Sequence, residues 1–171
     1  MVMTMLFNYL FLFFVGSIFG YFLELIYRKL VMKKWIKPGV FNGIYLPLYG
    51  LGLVICYFVY NLNICFIFKL LLLVMLLTVI ELICGVIFIK YFNIPLWDYS
   101  DNFLNFKGLI CLKFSLYWGV IGLFGFLMFS FININVFNNL ISLIFVIIFL
   151  VVLSIDALFT FNKLIKKRIK Y

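Results

Sequence analysis

Five carboxylates and no histidine set the chemistry open to this chain: Glu24, Glu81, Asp98, Asp101 and Asp156 are its whole acidic complement. Carboxylates can pair with bases, hold cations, or pass protons as general acid and base, for which Glu24, Glu81 and Asp98 are the candidates. The absence of histidine excludes His-ligated metals and Ser-His or Cys-His catalysis. Cys56, Cys65, Cys84 and Cys111 form no CxxC pair, which argues against a zinc site or a disulfide framework. No metal and no cofactor is expected. The informative acid is Glu81, inside the run LLLLVMLLTVIELICGVIFIKYF from Leu70 to Phe92.

The elements that position these acids follow from composition. The chain has 171 residues, 68% hydrophobic and 11% charged, against roughly 25% charged in a soluble domain. A particle this small cannot bury so much apolar surface, so the surface faces lipid. The expected fold is all-α: one polytopic transmembrane bundle spanning residues 1–171, without a soluble domain. About 20 apolar residues are needed to cross the hydrocarbon core. Five segments qualify, at 5–27, 43–60, 65–91, 108–132 and 139–161, the second being short and containing Pro47. An interfacial connection covers 92–107 and a basic tail 162–171. The first apolar run is too long, and too closely followed by charge, for a cleavable secretory signal.

A net charge of +9 could indicate nucleic-acid binding. Here the basic residues stand in clusters beside apolar runs, the pattern of a topology signal, and no nucleic-acid partner is expected. Connections one and three carry or are flanked by lysine and arginine, as is the tail, whereas 61–64 and 133–138 carry none. That alternation places the N-terminus outside and the C-terminus in the cytoplasm. The clusters at 28–37 and 163–170 need only this rule and attraction to anionic lipids. The abundance of Phe, Ile, Asn and Lys reads as a genomic bias, so single Asn or Lys residues carry little weight.

Depth follows at ~1.5 Å per helical residue. Glu24 precedes Arg28 by about 6 Å, Asp156 precedes Lys163 by about 10 Å, and Glu81 precedes Lys90 by about 13 Å, near the midplane. Helical spacing puts Gly16, Ser17, Gly20 and Glu24 on one face, the Gly16–Gly20 pair making a GxxxG. Thr78, Glu81 and Gly85 share a second face. Gly108, Cys111, Ser115, Gly119 and Gly122 form a small-residue stripe with Trp118 beside it. Gly43, Pro47 and Gly50 align at the start of the second segment, where the backbone can bend or unwind.

A lone acid at the bilayer centre costs on the order of 3 kcal/mol. Local pairing is one answer, Glu24 with Arg28 and Asp156 with a lysine of the tail. A shared polar cavity open to the cytoplasm and lined by Glu24, Glu81 and Ser115 is the other. Glu81 has no base within two turns of its own helix, which favours a functional or inter-helix role. In NIPLWDYSDNFLNFKG, Trp97 and Tyr99 suit the headgroup region, and Asp98 or Ser100 could cap a short helix through Phe106. Phe103, Leu104 and Phe106 would then dip into the interface.

Five pieces occur in order: Ser17-x-x-Gly20-x-x-x-Glu24, Gly39-x-x-x-Gly43-x-x-x-Pro47-Leu48-Tyr49-Gly50, Thr78-x-x-Glu81-x-x-x-Gly85, Trp97-Asp98-Tyr99-Ser100, and Asn105-x-x-Gly108-x-Ile110-Cys111-Leu112-x-x-Ser115-x-x-Trp118-Gly119. Through them the chain resembles the small bacterial family of ABC-transporter permeases of type IV, CmpB-like. It departs from that pattern at Pro38, Ile44, Lys90 and Leu109, where the family has Arg, Pro, an acid and Arg. A set of charges at the cytoplasmic edge is thereby missing or reversed.

The resemblance implies a multi-pass protein of the bacterial plasma membrane acting as a permease-like component. The cavity or binding candidates are Ser17, Gly20, Glu24, Gly43, Pro47, Tyr49, Gly50, Thr78, Glu81, Trp97, Asp98, Tyr99, Ser100, Asn105, Ser115 and Trp118. The chain has no GxxxxGK[ST] loop, so an ATPase would be a separate chain, docking on the connections 28–42 and 92–107. Five helices without an inverted repeat call for a homodimer or a second membrane subunit. Two alternatives stand beside the permease: a membrane-embedded enzyme using carboxylates on a lipid or isoprenoid, and a non-catalytic assembly protein.

Overall fold

The computed structural model describes residues 2–169; Lys170 and Tyr171, the end of the basic tail, lie outside the described residues. Among the described residues there are five α-helices: α1 (Val2–Met32), α2 (Pro47–Tyr60), α3 (Phe66–Phe92), α4 (Leu112–Phe131) and α5 (Leu140–Ile169). Four contain stretches long and apolar enough to cross a membrane: Thr4–Met32, Phe66–Phe92, Leu112–Phe131 and Leu140–Lys166. The 14-residue α2 reaches about 21 Å, short of the ~30 Å hydrocarbon core. Its expected first turn, 43–46, is not helical. Proline disfavours helix in the residue before it and suits the first helical position, so α2 begins at Pro47 itself.

Contacts divide the chain into two compact units: residues up to Val54 together with those from Ile134 onward, and Ile55 to Asn133. In the first, α1 packs on α5 and on a 3-10 turn, Ile134–Phe137. The GxxxG face of α1 meets the start of α2: a Cβ on Gly16 would lie 2.8 Å from Leu53 Cβ, and one on Gly20 would fall on Tyr49. The backbones touch only because side chains are missing there. Ser17, fully buried between them, donates to the Phe13 carbonyl at 2.7 Å, and its own carbonyl accepts the Leu46 amide at 2.8 Å.

In the second unit α3 packs on α4. Leu73, Leu77, Glu81 and Gly85 form the buried stripe of α3, every fourth residue, and Trp118, Gly119, Gly122 and Phe126 that of α4. A Cβ on Gly119 would lie 3.1 Å from Val74 Cγ2, and one on Gly122 would strike the Leu73 side chain. Gly108 and Cys111, expected on the same helical stripe, precede α4.

The short helix expected through Phe106 does not form. Residues 100–104 make turns, and β1 (Asn105–Phe106) pairs antiparallel with β2 (Ile110–Cys111), Asn105 opposite Cys111. Leu104, Lys107 and Gly108 have φ of 49°, 53° and 69°, left-handed values that no right-handed helix contains. The Asp98 carboxylate, offered as a helix cap, instead closes a two-residue turn onto Ser100.

Candidate functional site

Each unit holds one buried acid gripped by neutral donors. In the second unit, Glu81 is 3% exposed. Its Oε1 accepts the Tyr99 hydroxyl at 2.9 Å and its Oε2 the Trp118 indole N–H at 3.0 Å. One helical turn before Glu81, the Thr78 hydroxyl donates to Ser115 Oγ at 3.0 Å. Thr78, Glu81, Ser115 and Trp118 therefore join α3 and α4 as a polar strip between two largely apolar helices.

Tyr99 arrives from outside the helices, and the connection is built to hold it. Its ring stacks on Phe114 with centroids 4.2 Å apart and on Trp97 at 6.2 Å. The Tyr99 amide donates to the Gly108 carbonyl at 2.9 Å, and the Trp97 indole to the Leu109 carbonyl at 2.7 Å. Asp98 Oδ1 accepts both the amide and the hydroxyl of Ser100. These bonds, the hydroxyl foremost and then the amide, hold the Asp98 carboxyl below its ordinary value of 3.8. Asn105 clasps the turn, donating to the Ser100 and Asn102 carbonyls at 3.0 Å each and accepting the Gly108 amide at 3.1 Å. A side chain on Gly108 would meet Asp98 Oδ1 and Ser100 Oγ, besides being strained at that φ.

In the first unit, Asp156 on α5 is 9% exposed. Its Oδ1 accepts Asn42 Nδ2 at 2.8 Å and the Thr160 hydroxyl at 3.0 Å. Its Oδ2 accepts the Gly43 amide at 2.9 Å and the buried Tyr45 hydroxyl. These neutral donors, and not a lysine of the tail, compensate Asp156 among the described residues. Burial first, then the bond to Asp156 and its charge, push the Tyr45 phenol above its ordinary 10.0. The expectation for Glu24 is different and holds: its Oε1 pairs with Arg28 Nε at 2.9 Å, and its Oε2 accepts the Tyr49 hydroxyl at 3.0 Å.

Nine of the expected residues thus fall in the second unit: Thr78, Glu81, Trp97, Asp98, Tyr99, Ser100, Asn105, Ser115 and Trp118. Ser17, Gly20, Glu24, Gly43, Pro47, Tyr49 and Gly50 fall in the first. Trp97 and Tyr99 are inward-bonded and only half-exposed, a different role from headgroup anchors. Single asparagines, expected to carry little weight, hold structure in both cases where they meet buried polar groups. Asn42 holds Asp156, and Asn8, 5% exposed, bonds Asn135 at 2.9 Å and Asn138 at 3.3 Å. Thr160 had a signal, its i+4 spacing from Asp156; Asn42 and Tyr45, far away along the chain, had none. No group of three or more His, Cys, Asp or Glu that could hold a metal ion occurs among the described residues.

The family model described as "Putative ABC-transporter type IV" matches residues 11–161. The chain belongs to this family. The match covers all five helices in whole or in part, so both buried acids lie within the region the family shares. With four membrane-length helices, this family member is a multi-pass membrane protein. No curated protein and no solved structure matches the chain.

Proposed function

We propose that the chain is a permease-like membrane component of a bacterial plasma-membrane transporter, its ATPase supplied by a separate chain and its basic helix ends facing the cytoplasm. A homodimer or a second membrane subunit completes the path. The observation that carries this reading is the setting of Glu81: an ionisable group buried within a membrane-length helix, held by two donors that a solute could replace. Thr78, Glu81, Ser115 and Trp118 line the polar, cytoplasm-facing part of the path, and withdrawal of the Tyr99 hydroxyl opens it. Exchanging access by rearranging one hydrogen-bonded element is the common logic of gated sites.

The enzymatic alternative assigns acid–base roles to Glu24, Glu81 and Asp98. Glu24 is paired with Arg28, and Asp98 is bonded to Ser100 outside the helices, so neither is presented as a free acid–base group.

Native-membrane purification under mild detergent tests the proposal. The expected result is a complex that hydrolyses ATP, whose hydrolysis is stimulated in sealed vesicles and loses that stimulation in Glu81→Gln while the complex stays assembled. Recovery of the chain without any ATP-hydrolysing partner, or a silent Glu81→Gln, sinks it. Lipid turnover by the purified chain alone would replace it with the enzymatic reading.

A further inference from the structure

The hairpin end of the second unit presents apolar side chains to its surroundings. Phe103, Leu104 and Phe106 are 78%, 65% and 53% exposed, although the segment carrying them is pinned by the Asn105 clasp and the Asp98–Ser100 turn. Leu104 and Lys107 are held at left-handed φ, which is costly for residues with a side chain. The conformation that displays these side chains is therefore imposed by the fold and is not the relaxed state of a free loop.

Three lysines stand at the same end. Lys90 lies in the last turn of α3, Lys113 in the first turn of α4, and Lys107 in the turn between β1 and β2, with β2 packed on both helices. Each ammonium lies over a ring: Lys90 over Tyr91 at 5.7 Å, Lys107 over Phe106 at 5.6 Å, and Lys113 over Phe114 and Tyr117 at 5.9 Å. None of the three forms an ion pair among the described residues. Of the acids in the connection, Asp98 is engaged by Ser100, and Asp101 forms no ion pair among the described residues. Lys113 also opposes the dipole at the N-terminus of α4, so helix stability does not account for its charge.

We propose that this end of the molecule is a binding surface for anionic phospholipid headgroups, with Lys90, Lys107 and Lys113 contacting the phosphates and Phe103, Leu104 and Phe106 seated among the upper acyl chains. Two membrane-length helices end here, so the bilayer interface lies at this level. Lysines that lay their stems over aromatic rings keep the charged head free to reach outward. Positive charge beside exposed rings complements a negative membrane surface. A soluble acidic protein is the competing occupant.

Photo-crosslinking of the full chain in phosphatidylcholine nanodiscs separates the two. The probe is a minority of diazirine-tagged phosphatidylglycerol, or diazirine-tagged phosphatidylcholine in parallel. Residues 103–107 are expected to be labelled at least about fivefold more by the anionic probe, one surface lysine's contribution. The combined Lys90→Gln, Lys107→Gln, Lys113→Gln variant should level the two probes there, while labelling of residues 28–37 stays unchanged as the control for folding. Equal labelling by both probes in the wild type, or a preference that survives the triple variant, overturns the proposal. So does absence of labelling at 103–107 with either probe, the result expected of a surface kept for a soluble partner.

Discussion

The Tyr99 hydroxyl donates to Glu81 Oε1 at 2.9 Å, so a residue outside the helices closes over an acid buried within one. The two are 18 residues apart in the chain and are separated by the end of α3. Tyr99→Phe keeps the ring on Phe114 and removes only the donor. Loss of about 1 kcal/mol of stability is expected, since polar pairs within membrane proteins average below their apparent strength. A double-mutant cycle with Glu81→Gln, read by denaturant unfolding in detergent, measures the coupling; additive effects would show that the bond contributes nothing.

Asp156 ties the connection after α1 to α5 through Asn42, Gly43 and Tyr45. Asp156→Ala leaves the buried Tyr45 hydroxyl, and the Asn42 and Gly43 N–H groups, without this acceptor, the buried donor alone costing about 1–3 kcal/mol. The connection should loosen, and trypsin should cut after Lys33, Lys34 and Lys37 faster than in the wild type. Lys37 also donates to the Asn42 carbonyl at 2.6 Å, so its cleavage reports the same latch. An unchanged digestion rate would mean that Asp156 does not hold this segment.

Gly20 and Gly122 are places where one added methyl has nowhere to go, against Tyr49 in the first unit and the fully buried Leu73 in the second. Leucine at either position is expected to lower the unfolding temperature, with over-packing worth about 1–3 kcal/mol. Because the two contacts lie in separate units, the double variant should lose close to the sum of the single effects. A loss much larger than the sum would show that the two faces are mechanically linked.

The Asp98–Ser100 turn carries a pH dependence with a defined sign. The folded carboxyl titrates below its ordinary value of 3.8, so its stabilising contribution is complete above 3.8 and is lost as pH falls through the lower, folded value. Hydrogen exchange at the Ser100 amide should accelerate, relative to neighbouring amides, only in that acid window. Asp98→Asn should remove the dependence; a variant with the same acid limb would assign the titration elsewhere.

Much of this site was legible in local pattern. The buried stripe through Glu81 follows from helical spacing, as does the Gly16–Gly20 face, and the i, i+4 pair of Glu24 with Arg28 needs only one turn of helix. The connection 93–111 was not legible, because its shape depends on left-handed backbone at Leu104 and Lys107, residue types that ordinarily avoid it. Aromatic residues there carry the same composition whether they float at the headgroups or turn inward, and Trp97 and Tyr99 turn inward.

Composition and periodicity, properties of neighbouring residues, determined that this is a multi-pass helical membrane protein with a buried acid on a membrane-length helix. Only the tertiary structure decided what that acid meets. Glu81 with Trp118, 37 residues apart, and Asp156 with Asn42, 114 apart, are pairings between elements. Their partners are neutral donors, and many residues could supply such a donor. The choice among them rests on where each connection folds back.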